Sequence, residues 1–141
     1  MGKRITRYNT QWAAQFFTAA ELTRRGYLVS LTFGNAPTAD LLVQSPAGVQ
    51  FTVDVKGQST KNFWLIRQIK PSPDHYFILV YLPSDTQSNP RYFIVSSEEL
   101  MKRREEYKQS VLPRGKYRDE LGGIKWSTAF HYENKWDNLP N

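Results

Sequence analysis

The chain contains no cysteine. Disulfides and thiolate metal sites are therefore excluded, and a reducing, cytoplasmic setting is the one that suits it. Histidine is scarce too: His75 and His131 are the only two, and neither has a partner at metal-ligand spacing, so neither is chosen as a general base. No apolar run approaches the about 18 residues that a membrane span requires. Met1-Gly2-Lys3-Arg4 leads into no apolar stretch of the secretory type. Internal repeats, heptads and low-complexity segments are also absent. What these absences leave is a soluble chain with no membrane partner.

Within 141 residues, 40% hydrophobic, there is material for one domain with its own core and little room for a second. The expectation is a single domain over 1–141, with a basic N-terminal arm (1–9) and an aromatic C-terminal tail (111–141). Lysine and arginine number 19 against 13 acidic residues, a net charge of +6. An excess of that size favours a polyanion, chiefly through phosphate contacts.

The coarse order of elements follows from periodicity and turn signals. A helix is predicted from about Thr10 to Arg25, stopped by Gly26. On a helical wheel Trp12, Ala13, Phe16, Ala19, Ala20 and Thr23 form its apolar face, with Gln15 at the edge. Glu21 falls on the polar side, near Arg24 and Arg25. Strands are predicted over Tyr27–Phe33, Leu41–Val43, Phe51–Val55, Tyr76–Leu82 and Arg91–Val95. Ser96 or Ser97 caps a second helix that runs to about Lys108. A helix followed by a strand, a hairpin and further strands is an α/β layer arrangement.

The chemistry concentrates at Asp54-Val55-Lys56. Between the two apolar runs lies Ser45-Pro46-Ala47-Gly48-Val49, which reads as a three-residue hairpin loop with Gly48 in the left-handed position. If Ser45 pairs with Val49, the register centres on Ala47 and Asp40 stands opposite Asp54. Strand side chains alternate, so Asp40, Asp54 and Lys56 share one face while Leu41, Val43, Phe51, Val53 and Val55 take the other. Opposed residues have Cβ atoms roughly 4.5–5.5 Å apart, and two like charges at that distance destabilise a sheet unless they are neutralised. A divalent cation would neutralise them. Hard oxygen ligands point to Mg²⁺ or Mn²⁺ rather than zinc. Such an ion can activate water against a phosphodiester, with Lys56 stabilising the developing charge.

Further polar and basic residues flank this centre in the sequence. Gln58, Ser59 and Lys61 follow the Lys56 strand and are candidates for the nucleic-acid backbone. So are Arg114, Lys116 and Arg118, which have fewer acidic neighbours than Lys102-Arg103-Arg104, read here as a solvated helix face. Trp64 is assigned to the core. The aromatic tail, Trp126 to Trp136, is expected to pack back onto the domain.

With the order Ala39-Asp40-Leu41-Leu42-Val43 and then Val53-Asp54-Val55-Lys56-Gly57, residues 9 to 96 resemble the PD-(D/E)XK nuclease superfamily. The similarity is to the archaeal Holliday junction resolvase-like and small restriction-type branch. It implies a restriction-endonuclease-like mixed β-sheet flanked by helices, in the order α-β-β-β-α-β. It also implies a metal held by Asp40, Asp54 and the carbonyl of Val55, with Lys56 as the motif lysine. DNA is the implied substrate, and a homodimer is a further option, as resolvase-like enzymes often pair. Ala39 replaces the motif's proline. Gln15, eleven residues before Gly26, stands where such enzymes usually carry a glutamate, and it brings an amide without charge. Two expectations result: an Mg²⁺-dependent DNA endonuclease, or a nuclease-like nucleic-acid-binding module that is catalytically weak or inactive.

Overall fold

A computed structural model describes residues 6–35 and 39–141; Lys3 and Arg4 of the basic arm lie outside the described residues. The first helix, α1, spans Arg7–Arg24, and its N-cap Thr6 accepts the Asn9 N–H through its hydroxyl. Gly26, at φ 95°, ends it. The Tyr27 N–H donates to Leu22 O and the Gly26 N–H to Thr23 O, the paired bonds of a Schellman motif.

Among the described residues seven strands follow in chain order: β1 (Leu28–Leu31), β2 (Leu41–Gln44), β3 (Gln50–Gln58), β4 (Trp64–Leu65), β5 (His75–Tyr81), β6 (Arg91–Ser96) and β7 (Gly123–Ile124). The second helix, α2 (Ser97–Val111), stands between β6 and β7 and is capped by the Ser96 hydroxyl, which accepts the Glu99 N–H. The main sheet has the order β1-β2-β3-β5-β6. Only β3 and β5 run parallel; the other neighbours are antiparallel. The fold is α/β, a mixed five-stranded sheet with a helix on each face. Among the described residues no helix is long and apolar enough to cross a membrane.

Alternation along the strands explains the layering. Phe51, Val53 and Val55 of β3, with Ile78 and Val80 of β5 and Ile94 of β6, turn toward α1 and pack with Ala14 and Leu22. Phe77 and Leu79 of β5, with Phe93 and Val95 of β6, face the other way, onto Leu100 and Met101 of α2. Strands β5 and β6 are thus buried on both faces, as an uninterrupted apolar run requires. On the α2 side the cover reaches β5 and β6, and the residues of β3 that point that way are Thr52, Asp54 and Lys56.

Three departures from the sequence reading concern packing. The order is not α-β-β-β-α-β, because no helix links β3 to β5. Pro71 and Pro73 withhold helical hydrogen bonds from that crossover. It runs extended instead, and β4 pairs with β7 in a small second sheet. That sheet brings Trp64, Ile66 and Ile124 into the α2 side of the core.

The second departure is the face of α1. Its buried residues are Thr10, Ala14, Gln15, Thr18, Ala19 and Leu22, whereas Phe16 is exposed. Small side chains let the helix approach β3 closely, and the aromatic side is left outward.

The third is Arg104, which is 1% exposed rather than solvated. Its guanidinium donates to Ile66 O, Gln68 Oε1, and the carbonyl and carboxylate of Asp119. It is a polar tie between α2, the β4 segment and the chain before β7. The neighbouring Arg103 pairs with Glu99 and Glu106 and donates to the Tyr132 hydroxyl.

Candidate metal and nucleic-acid site

The hairpin places the acids. The Ser45 N–H donates to Val49 O at 2.8 Å, and the Gly48 N–H donates to Ser45 O at 2.9 Å. Gly48 adopts φ 91°, in the left-handed region that a glycine occupies without steric cost. Pairing of Leu41 with Val53 and of Gln44 with Gln50 centres the register on Ala47. The strand pairs end at Leu41 and Val53; just beyond them the Asp40 N–H donates to Val53 O at 3.0 Å, and Asp40 and Asp54 line one cleft.

Strand β2 begins at Leu41, so the edge of β3 past Asp54 has no strand to pair with on that side. Two side chains occupy it. The Asp40 carboxylate accepts the Val55 N–H at 2.8 Å through Oδ2. From α1, the Gln11 amide donates to Val55 O at 2.7 Å and accepts the Gly57 N–H at 3.1 Å. A primary amide has the donor and acceptor of a peptide group, and here it stands in for the missing strand. Gly57 makes this approach sterically feasible: a Cβ there would lie 2.6 Å from Ala14 Cβ and 3.2 Å from Thr10 O.

His75 enters from the neighbouring strand. Parallel pairing sets it beside Thr52, with Nδ1 2.6 Å from the Thr52 hydroxyl and Nε2 3.4 Å from Asp54 Oδ2. The arrangement that satisfies all three groups has the threonine hydroxyl donating to Nδ1, which leaves the Nε2 proton facing the carboxylate. The sequence around His75 offers it no nearby partner. Its partner is across the sheet, and parallel pairing between distant segments leaves no local signal.

These groups line a cleft of about 700 Å³ that also takes in Lys56, Arg67 and Lys70. Asp40 is held above the ordinary carboxylate range, first by burial and then by the charge of Asp54, against the pull of the Val55 N–H, Lys56 and His75. The remaining candidates lie elsewhere. Gln15 is buried, 7% exposed, and does not line the cleft, whereas Gln11, one turn earlier on the same helix, does. The Gln58 side chain donates to Asn62 O; neither it nor Ser59 nor Lys61 lines the cleft. Arg114 and Lys116 are exposed beyond the end of α2, and Arg118 is ion-paired with Glu120 at 2.6 Å.

The oxygens that could hold a cation in this cleft are those of Asp40, Asp54 and the Val55 carbonyl. Among the described residues no group of three or more His, Cys, Asp or Glu side chains is arranged to hold a metal, so protein ligation would rest on two acids and a backbone oxygen. That number suits Mg²⁺, which keeps several waters and takes one or two carboxylates. Asp40 retains its Oδ1, and the Val55 oxygen retains a second lone pair beside the Gln11 bond. Comparison with protein-family models, with curated proteins and with solved structures gives no match.

Proposed function

We propose that the chain is an Mg²⁺- or Mn²⁺-dependent endonuclease that hydrolyses phosphodiester bonds in DNA. The observation that carries this reading is the gathering of Asp40, Asp54 and Lys56 in one cleft, with the Asp40 carboxylate bound to the Val55 N–H at the open edge of β3. Burial and mutual repulsion leave Asp40 with a charge that a cation would stabilise. When bound, the cation would polarise the phosphodiester and ease ionisation of a water.

The chain's own groups have separable tasks. The Val55 N–H holds one oxygen of Asp40 and so orients the other. Thr52 and His75 fix Asp54 from the opposite side. Lys56 places a positive charge where negative charge develops on the phosphate, and Arg67 and Lys70 line the approach. A second reading, a nuclease-like module that binds without cutting, draws on one feature: the helix supplies the uncharged Gln11 where a third acid would strengthen metal binding.

Incubation of single-stranded, duplex and branched DNA with Mg²⁺ or Mn²⁺ separates the two readings. Cleavage that vanishes in Asp54→Ala and in EDTA is expected. Cleavage that survives Asp54→Ala, or binding with no cleavage of any substrate, would overturn the enzymatic reading.

A further inference from the structure

Four aromatic rings lie outside both cores, on the side of α1 turned away from β3. Trp12 stacks on Phe16 at 5.8 Å between centroids and on Phe33 at 5.6 Å, each pair 28° from parallel. Tyr8 meets Trp12 edge-on at 6.3 Å. Tyr8 is 72% exposed, Phe33 61% and Phe16 52%. Large apolar groups gathered in the open mark a binding surface more often than isolated ones do.

Phe33 adds an independent sign. The Asn35 N–H donates to Thr32 O across a turn in which Phe33 has φ 52° and Gly34 φ 83°. Positive φ at both central positions is the type I′ pattern, and glycine, asparagine or aspartate normally fills the first. Phenylalanine there costs conformational energy, and what it obtains is the stack on Trp12.

None of the four rings lines the cleft, and they connect to it through their chain neighbours. Trp12 follows Gln11, which lines it, and Thr32 donates from its N–H to Asp40 O and from its hydroxyl to Ala39 O. We infer that Tyr8, Trp12, Phe16 and Phe33 form a stacking platform for unpaired bases of a nucleic-acid strand that runs on into the Asp40–Asp54 cleft. This inference rests on the nucleic-acid reading above and narrows its substrate to DNA with a single-stranded portion. Every base has a π face, so near-parallel rings beside a cleft that offers Lys56, Arg67 and Lys70 to phosphates bind a strand with little regard to sequence. A second copy of the chain suits the patch less well, because a stable dimer interface enlists roughly 20–30 residues a side.

Fluorescence anisotropy in EDTA tests the platform apart from catalysis, with a labelled oligothymidylate and a labelled blunt hairpin duplex as probes. Wild-type protein is expected to bind the single strand more tightly than the duplex. Phe33→Asn, which suits the turn better, and Tyr8→Ala are each expected to weaken single-strand binding by about tenfold, with duplex binding and thermal midpoint unchanged. Equal single-strand affinity in wild type and both variants would overturn the platform. So would a dimer, seen by sedimentation velocity, that Phe33→Asn dissociates. Platform binding without Mg²⁺-dependent cleavage would leave this inference standing and remove only the enzymatic reading.

Discussion

Asp40 is the residue on which charge and geometry pull hardest against each other. Burial raises its proton affinity, the Asp54 charge raises it further, and the hydrogen bond from Val55 opposes both without winning. A carboxyl raised in the fold favours the folded state in its protonated form. That stability is fully present below the carboxyl's ordinary value of 3.8, and it is lost as pH rises from there through the folded value. At neutral pH the ionised Asp40 is therefore a local cost. Asp40→Asn removes the charge while keeping an oxygen for the Val55 N–H, so its thermal midpoint should exceed that of wild type at neutral pH and lose the advantage in acid. Adding Mg²⁺ should raise the wild-type midpoint by mass action and leave Asp40→Asn where it is. Differential scanning fluorimetry across pH, with and without Mg²⁺, reads both effects; a variant less stable than wild type at neutral pH would contradict the account.

At the scale of elements, the contact between α1 and β3 carries the site, and it hinges on Gly57. An added Cβ there meets Ala14 Cβ at 2.6 Å and the Thr10 carbonyl at 3.2 Å. Gly57→Ala should cost about 1–3 kcal/mol by overpacking, and it should pull Gln11 away from Val55. Ala14→Gly carries its own helix cost of roughly 1 kcal/mol. Combined with Gly57→Ala it should nevertheless destabilise by less than the sum of the single changes, because the two share one clash. Chemical denaturation of the four proteins in the cycle measures the coupling, and strict additivity would place the clash elsewhere.

The same contact shows what could and could not be read from sequence. The β2–β3 hairpin was legible because turn chemistry at Pro46 and Gly48 fixes its register locally. Gln11 was not: its role depends on which side of α1 meets the sheet, and hydropathy pointed to the side of Trp12 and Phe16. Small residues at Thr10, Ala14 and Thr18, matched to a glycine on β3, determined the packing instead. His75 and the buried Arg104 were hidden for a related reason. Each is defined by partners far away in the chain, Asp54 in one case and the carbonyls of Ile66 and Asp119 in the other.

Over the whole molecule, the net charge of +6 argues for a polyanionic partner without saying where it docks. Sequence proximity to the motif favoured Lys61, and sparse acidic neighbours favoured Arg114, Lys116 and Arg118. Of these, Arg118 is paired with Glu120, and none lines the cleft that holds Asp40 and Asp54. The cations that do are Lys56, Arg67 and Lys70. Phosphate contacts release counterions, so each one neutralised steepens the fall of affinity with salt by roughly one in the log–log slope. Duplex binding measured in EDTA over a range of salt can then distinguish two sets of cations that carry equal charge. Replacing Arg67 and Lys70 together by alanine should make the slope shallower by about two, whereas replacing Arg114 and Lys116 together should leave it unchanged. The opposite result would move the nucleic-acid path off the cleft and onto the segment beyond α2, and with it would go the case that Asp40 and Asp54 face a phosphodiester.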